Sequence, residues 1–288
     1  MASNKISECS RGDFYVRFWG VRGSLSVSDP DSIRYGGNTS CLEIRCGDRV
    51  LMFDAGSGLR ELGNHLLNGG GNGGAVDADL FLTHVHYDHV CGIPFFAPFY
   101  IPNNNFRVWA GDLEPELKAD KIFEQLMTAP LFPVPPSVFQ ADINYHAFNT
   151  GDRIDLNNEI TISTAPLNHP NGATGYRVDF AGKSICYLTD TEHVTGEVDQ
   201  VIVDLIKDAD VAIYDAMYTD EEYANCVGFG HSTWRAGAEL CEAANVKTFV
   251  AFHHEPGHND DVMDQIKRDI EKTRPGSVVA QEGMILRP

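Results

Sequence analysis

Apolar residues recur along this chain in two rhythms. Short runs alternate every second residue, as at Phe14, Val16 and Phe18, which suits a half-buried strand. Thr39 to Arg45 and Val50 to Asp54 flank a Gly-Asp turn and predict a hairpin. Gly58 to Leu67 reads as a helix, and the glycines between Gly69 and Gly74 as a surface loop. Asp79 to Thr83 and Phe106 to Ala110 predict strands, and Glu114 to Met127 an amphipathic helix. The stretch Ala129 to Pro136 is too proline-rich for the interior of either element. Beyond it, strands are predicted at Ile160 to Ala165, Gly175 to Phe180, Ser184 to Thr189, Val211 to Asp215 and Thr248 to Phe252. A last β-run lies near Val278 to Leu286. Helices are predicted at Val198 to Lys207, Thr233 to Ala244 and Asp260 to Lys272. Strands and helices are mixed through both halves, which predicts a layered α/β architecture with sheets covered by helices. No shift in composition marks a linker, so one domain is expected over residues 1–288, with an insertion or lid around 111–150.

Composition narrows the partners. The formal net charge is −19, which opposes a long nucleic acid, because phosphate backbones are held by basic surfaces. A small anion stays open, since a bound cation dominates the charge of its own site. The seven cysteines are odd in number and scattered without CxxC pairs, so they read as free thiols. Cys91, just beyond the histidine motif described next, is expected to pack near the site and not to ligate. No apolar run approaches the roughly 20 residues of a membrane span, and Met1 to Asp13 has no apolar leader segment. The expected compartment is the cytoplasm.

The chemistry concentrates in Thr83-His84-Val85-His86-Tyr87-Asp88-His89. In an extended segment, residues two apart share a side, so His84, His86 and Asp88 can converge on one point. His89 reaches a neighbouring point if the backbone turns into a helix there. Imidazole and carboxylate donors suit Zn²⁺, and also Mn²⁺ or Fe²⁺. The plainer alternative is a cluster of separately hydrogen-bonded histidines, which fits poorly with so many donors directly after an apolar strand.

Here the sequence resembles the metallo-β-lactamase superfamily, whose HxHxDH motif matches His84, His86, Asp88 and His89 at every position. The resemblance runs roughly from Phe18 to His258. It implies an αββα sandwich of two mixed sheets flanked by helices, with two divalent metal ions at the sheet edges. It also implies further ligands at strand ends, and His169, Asp190 and His253 stand in those places. The implied set is His84, His86 and His169 on one ion, and Asp88, His89 and His253 on the other, with Asp190 bridging. His254 and His258 lie close behind His253 and are the alternatives for the last ligand or for the substrate pocket.

Gly230-His231-Ser232-Thr233 heads a helix, where hydroxyls cap and exposed N–H groups favour an anion. It is similar to a His-Ser-Thr element of the superfamily's phosphodiesterase branch, which includes the tRNA 3′-end endonuclease and cyclic-nucleotide phosphodiesterases. The resemblance gives His231 the role of contacting phosphate and protonating the leaving oxygen; a plain N-cap beside an exposed histidine is the alternative. Phe18 to Ser24 and Tyr35 to Cys41 look like N-terminal elements of that branch, with Asn38 and Arg22 as candidate substrate contacts or turn formers. The protruding tRNA-gripping arm of the endonuclease has no evident counterpart. The expected reaction is therefore hydrolysis of a small phosphodiester such as a cyclic nucleotide. Attack is expected from a hydroxide held by two ions about 3.5–4 Å apart, with Asp88 orienting it and His231 as general acid. A lactonase or thioesterase on the same cage, or a metal-binding regulatory protein without turnover, are the rival readings. The apolar segments 94–100 and 131–136 can serve as core, lid or homodimer interface.

Overall fold

The computed structural model describes residues 13–70, 74–111, 119–157 and 159–288. The stretch read for a leader, Cys9, the middle of the glycine loop and the start of the helix expected from Glu114 lie outside them. In chain order the strands are β1 (Phe14–Gly20), β2 (Cys41–Cys46), β3 (Arg49–Phe53), β4 (Asp77–Leu82), β5 (Asn105–Gly111), β6 (Asp142–Phe148) and β7 (Arg153–Asn157). There follow β8 (Ile160–Leu167), β9 (Ala173–Phe180), β10 (Lys183–Leu188), β11 (Val211–Asp215), β12 (Thr248–Phe252), β13 (Val278–Val279) and β14 (Ile285–Leu286). The helices are α1 (Leu59–His65), α2 (Tyr87–Val90), α3 (Ala119–Leu126), α4 (Gln200–Ile206), α5 (Asp220–Tyr223), α6 (Trp234–Ala243) and α7 (Asp260–Thr273).

Two seven-stranded sheets result, in the orders β14-β1-β2-β3-β4-β5-β6 and β13-β12-β11-β10-β9-β8-β7. The strand pattern explains how they stack. The inward side chains of β1, Phe14, Val16 and Phe18, meet Tyr187, Ile213 and Phe252 of the other sheet in a shared core. A second core lies between the outer face of the first sheet and its helices, around Leu59, Phe99, Phe106 and Phe123. A third lies under α4, α6 and α7, around Leu188, Tyr214, Ile206 and Ile266. Three apolar layers separate four structural ones, which is the αββα sandwich.

Topology then fixes where chemistry can occur. Strands β3 to β6 run parallel to one another, as do β10 to β12, so their carboxyl ends open at common edges.

The expected elements are present with shifted ends, and two strands were not predicted. These are β6 and β7, the outermost strands of their sheets, whose side chains are mostly exposed or half-buried. Water on one face and at the edge removes the strong apolar alternation that reveals an inner strand. The final β-run is split, since β13 joins one sheet and β14 the other. Of the stretch expected as an insertion or lid, α3 packs on the first sheet and β6 continues it in register with β5. Within 94–100, Phe96 and Phe99 are core, while Phe95 is exposed and sits edge-on to Phe132.

Candidate metal centre

His84 stands two residues beyond β4, and His86 caps α2, the single turn that carries Asp88 and His89. His169, Asp190 and His253 follow β8, β10 and β12. Asp54, Asp190 and His253 adopt left-handed backbone conformations, with φ of 59°, 59° and 61°. Such conformations are uncommon for residues other than glycine and gather at functional sites.

Three groups of donor atoms form among the described residues, each with its atoms within 4.8 Å of one another. Two stand side by side, His84, His86 and His169 in one and Asp88, His89, Asp190 and His253 in the other; the third, Asp190, Asp215, His231 and His253, shares two members with the second. Asp190 faces both of the first two. Its Oδ1 lies 3.8 Å from His84 Nε2 and 3.6 Å from His169 Nε2, whereas its Oδ2 lies 3.1 Å from His89 Nε2 and 3.2 Å from His253 Nε2. Asp88 Oδ2 is 3.2 Å from His89 Nε2 and accepts the amide of Ser24 at 2.8 Å.

The rings are held from behind. Asp54 Oδ2 is 2.9 Å from His89 Nδ1 and accepts the Tyr187 hydroxyl at 2.8 Å. His169 donates its Nδ1–H to the Gly230 carbonyl at 2.7 Å. Gly230 has φ of +85°, and a Cβ there would stand 2.3 Å from His169 Nδ1, so only glycine fits against that ring. His231 Nδ1 meets Asp215 Oδ2 at 2.9 Å, and Asp215 also accepts the amides of Asp190 and Met217. Thr233 caps α6 through Ala236 N, and Ser232 bonds Tyr214 and His193, so the turn holding His231 is fixed on both sides.

Electrostatics separate the two groups. Burial, and then the charge of His89, hold His84 well below the usual histidine range, and burial also lowers His169. Their neutral imidazoles are the ligating form. In the carboxylate group burial opposes charge, yet Asp190, Asp88 and Asp54 push His89 up, and His89 and His253 hold Asp88 down. Burial likewise opposes charge on His231, and Asp215 overrides it, raising the group to about 9.

The donor set fits divalent cations. His84 Nε2, His89 Nε2 and both ring nitrogens of His253 are buried without a hydrogen-bond partner. Each such group costs about 1–3 kcal/mol unless something satisfies it. A cation between these nitrogens and the adjoining carboxylates does so, and mixed His/Asp ligation suits Zn²⁺, Mn²⁺ or Fe²⁺.

Three of the expected substrate contacts are engaged elsewhere. Asn38 Nδ2 donates to Glu282 and its Oδ1 accepts from Ser57. His254 is fully buried with Nε2 on the Ala280 carbonyl, and His258 Nε2 pairs with Glu222 at 2.8 Å. Arg22 is buried and donates to the carbonyls of Gly36, Glu255 and His258. Cys91 is half-buried, with its Sγ 3.8 Å from Thr39 Oγ1. Asp54 and Asp215 were not singled out from the sequence. Both close an apolar strand, Leu51-Met52-Phe53-Asp54 and Ala212-Ile213-Tyr214-Asp215, as Asp190 does, and that shared signature was available.

Known proteins agree with this architecture. The beta-lactamase superfamily domain matches residues 49–254. A ribonuclease Z of Haloarcula marismortui is 22% identical, covering 93% of this chain and 95% of its own length. Among solved structures, the metallo-beta-lactamase fold protein YhfI from Bacillus subtilis superposes with a TM-score of 0.72 at 17% identity, covering 96% of this chain and all of its own. A diphosphatase from the PhnP family gives 0.69 at 16% identity, over 96% of this chain and 98% of that one. The chain belongs to the beta-lactamase superfamily and is a metal-dependent hydrolase of it.

Proposed function

We propose that the protein is a dinuclear phosphodiesterase acting on a small phosphodiester such as a cyclic nucleotide. The observation that carries the reading is the His231–Asp215 pair beside two donor groups that Asp190 faces with its two oxygens. His84, His86 and His169 would hold one ion, and Asp88, His89 and His253 the other, with Asp190 common to both. When bound, the ions supply Lewis acidity toward phosphoryl oxygens.

The residues of the chain do the rest. Asp88 accepts the Ser24 amide through Oδ2, which fixes its carboxylate and leaves its other oxygen to orient a nucleophile. Asp215 accepts the Nδ1–H of His231, so Nε2 is the atom that delivers a proton to the departing oxygen. Two exposed aromatics flank this arrangement in sequence: Tyr87, 71% exposed, follows His86, and Phe229, 62% exposed, precedes Gly230. Large exposed aromatics beside a polar site suit stacking of a nucleobase.

The ribonuclease Z relative suggests RNA as the other substrate, and the net charge of −19 opposes it. The test is turnover by metal-analysed protein, loaded separately with Zn²⁺ and Mn²⁺, on bis(p-nitrophenyl) phosphate and 3′,5′-cyclic AMP. Turnover that chelation and His84→Ala abolish is expected. Silence at full metal occupancy, with turnover of a lactone or thioester, would sink the phosphodiester reading and leave the metal assignment standing.

A further inference from the structure

A cavity of about 580 Å³ lies between α4, α6 and the loop of residues 192–199. Its floor is apolar, made by Ile202, Tyr214 and Leu240. Its rim is acidic. Glu192, Glu197, Asp199 and Glu239 line it, and no lysine or arginine does. Two other cavities of similar size, 470 and 530 Å³, mix signs: Arg235, Lys247 and Arg274 line one beside Glu242 and Glu239, which also lines the first cavity, and Arg49 lines the other beside Asp48 and Asp77. The overall acidity of the chain therefore does not by itself produce a wall of one sign.

Two of the four carboxylates have structural partners. Glu192 accepts the amides of Gly228 and Gly230, and Asp199 caps α4 through Ile202 N. The carboxylates of Glu197 and Glu239 are exposed and make no side-chain hydrogen bond or ion pair among the described residues, although the charge of Glu239 acts on His193. Val194 and Val198, 53% and 64% exposed, line the same cavity. Apolar side chains left open at the mouth of an apolar cavity, under unpaired carboxylates, are what a ligand with an apolar body and a cationic head would cover.

We propose that this cavity binds a small organic cation, an amine carried on an apolar body. The site is separate from the His/Asp cluster but touches it. The loop that lines it starts at Asp190, and Asn168, also in the lining, is the neighbour of His169. Glu192 holds Gly230, and His193 Nδ1 lies 2.8 Å from Ser232 Oγ, so an occupant presses on the two residues that brace the His231 turn.

Calorimetric titration of the metal-loaded protein tests this, with tryptamine as the probe and indole-3-acetate as the same ring with opposite charge. Saturable one-to-one binding of tryptamine is expected, with none for indole-3-acetate. Replacing the two free carboxylates together, Glu197→Gln with Glu239→Gln, should weaken tryptamine about five- to tenfold. Ala243→Trp, which fills the cavity from an exposed position on α6, should remove binding. Unchanged melting temperature and metal content certify that both variants are folded. The proposal is overturned by no saturable tryptamine binding, by equal binding of indole-3-acetate, or by binding indifferent to both variants. None of these outcomes bears on the phosphodiesterase reading, because no substrate of that reaction is present.

Discussion

His84, His86, Asp88 and His89 come from one strand end and one helical turn, whereas His169, Asp190 and His253 come from separate strand-to-loop junctions and His231 from the turn before α6, spread over residues 169–253. The first set is placed chiefly by local geometry, alternation along an extended chain and a single turn, with Asp54 behind His89 and the Ser24 amide on Asp88 as its distant supports. The second depends on the register of an entire sheet. It also relies on bracing that crosses the fold: Gly230 behind His169, Asp215 behind His231 and behind the amide of Asp190. The contiguous half thus depends on fewer distant contacts, and the dispersed half is where small perturbations of packing should appear first.

Asp190→Ala strikes the point where the halves meet and has the largest expected effect. Metal content by mass spectrometry should fall at both groups, and turnover should drop on the order of 10⁴-fold. If only one equivalent of metal is lost, the sharing of Asp190 is wrong. His231→Ala should lower kcat roughly 10³-fold with metal content full, as removal of a general acid does. Full activity in that variant would return His231 to a plain neighbour of a helix cap. Asp54→Asn leaves the ligands in place but weakens the support of His89, so chelator competition should report a loss of about 10–100-fold in metal affinity. Gly230→Ala pushes on His169 from behind and should cost about tenfold in affinity at the His84, His86 and His169 group alone. Equal weakening of both groups would erase the distinction between the halves. The smallest change is Tyr187→Phe, which removes one hydrogen bond to Asp54 and should shift metal affinity only a few-fold.

The same division explains what could be read from the chain before folding. Local placement leaves a local trace, so His84 to His89 stand out as a string. His169, Asp190 and His253 became visible only as polar residues at the ends of apolar runs, with the family resemblance to say that strand ends matter. Asp54 and Asp215 carry that mark too, but their partners, His89 and His231, are brought to them by the fold, and no spacing predicts it. His254 shows the converse, adjacency to His253 in sequence with its side chain turned to Ala280, and Asn38, read as a substrate contact from its motif, turns to Glu282. For the fold, inner strands are legible because both faces are buried. The edge strands β6 and β7 have too little apolar alternation to announce themselves.

The left-handed backbone at Asp54, Asp190 and His253 carries a consequence for the life of the protein in a cell. Each such residue costs on the order of 1–3 kcal/mol, and two of the three are proposed ligands. Bound ions return that energy by mass action on the folded state, so metal supply governs how long the chain survives as well as how fast it works. A cell short of metal would hold fewer copies, cleared by proteolysis, and not the same number standing idle.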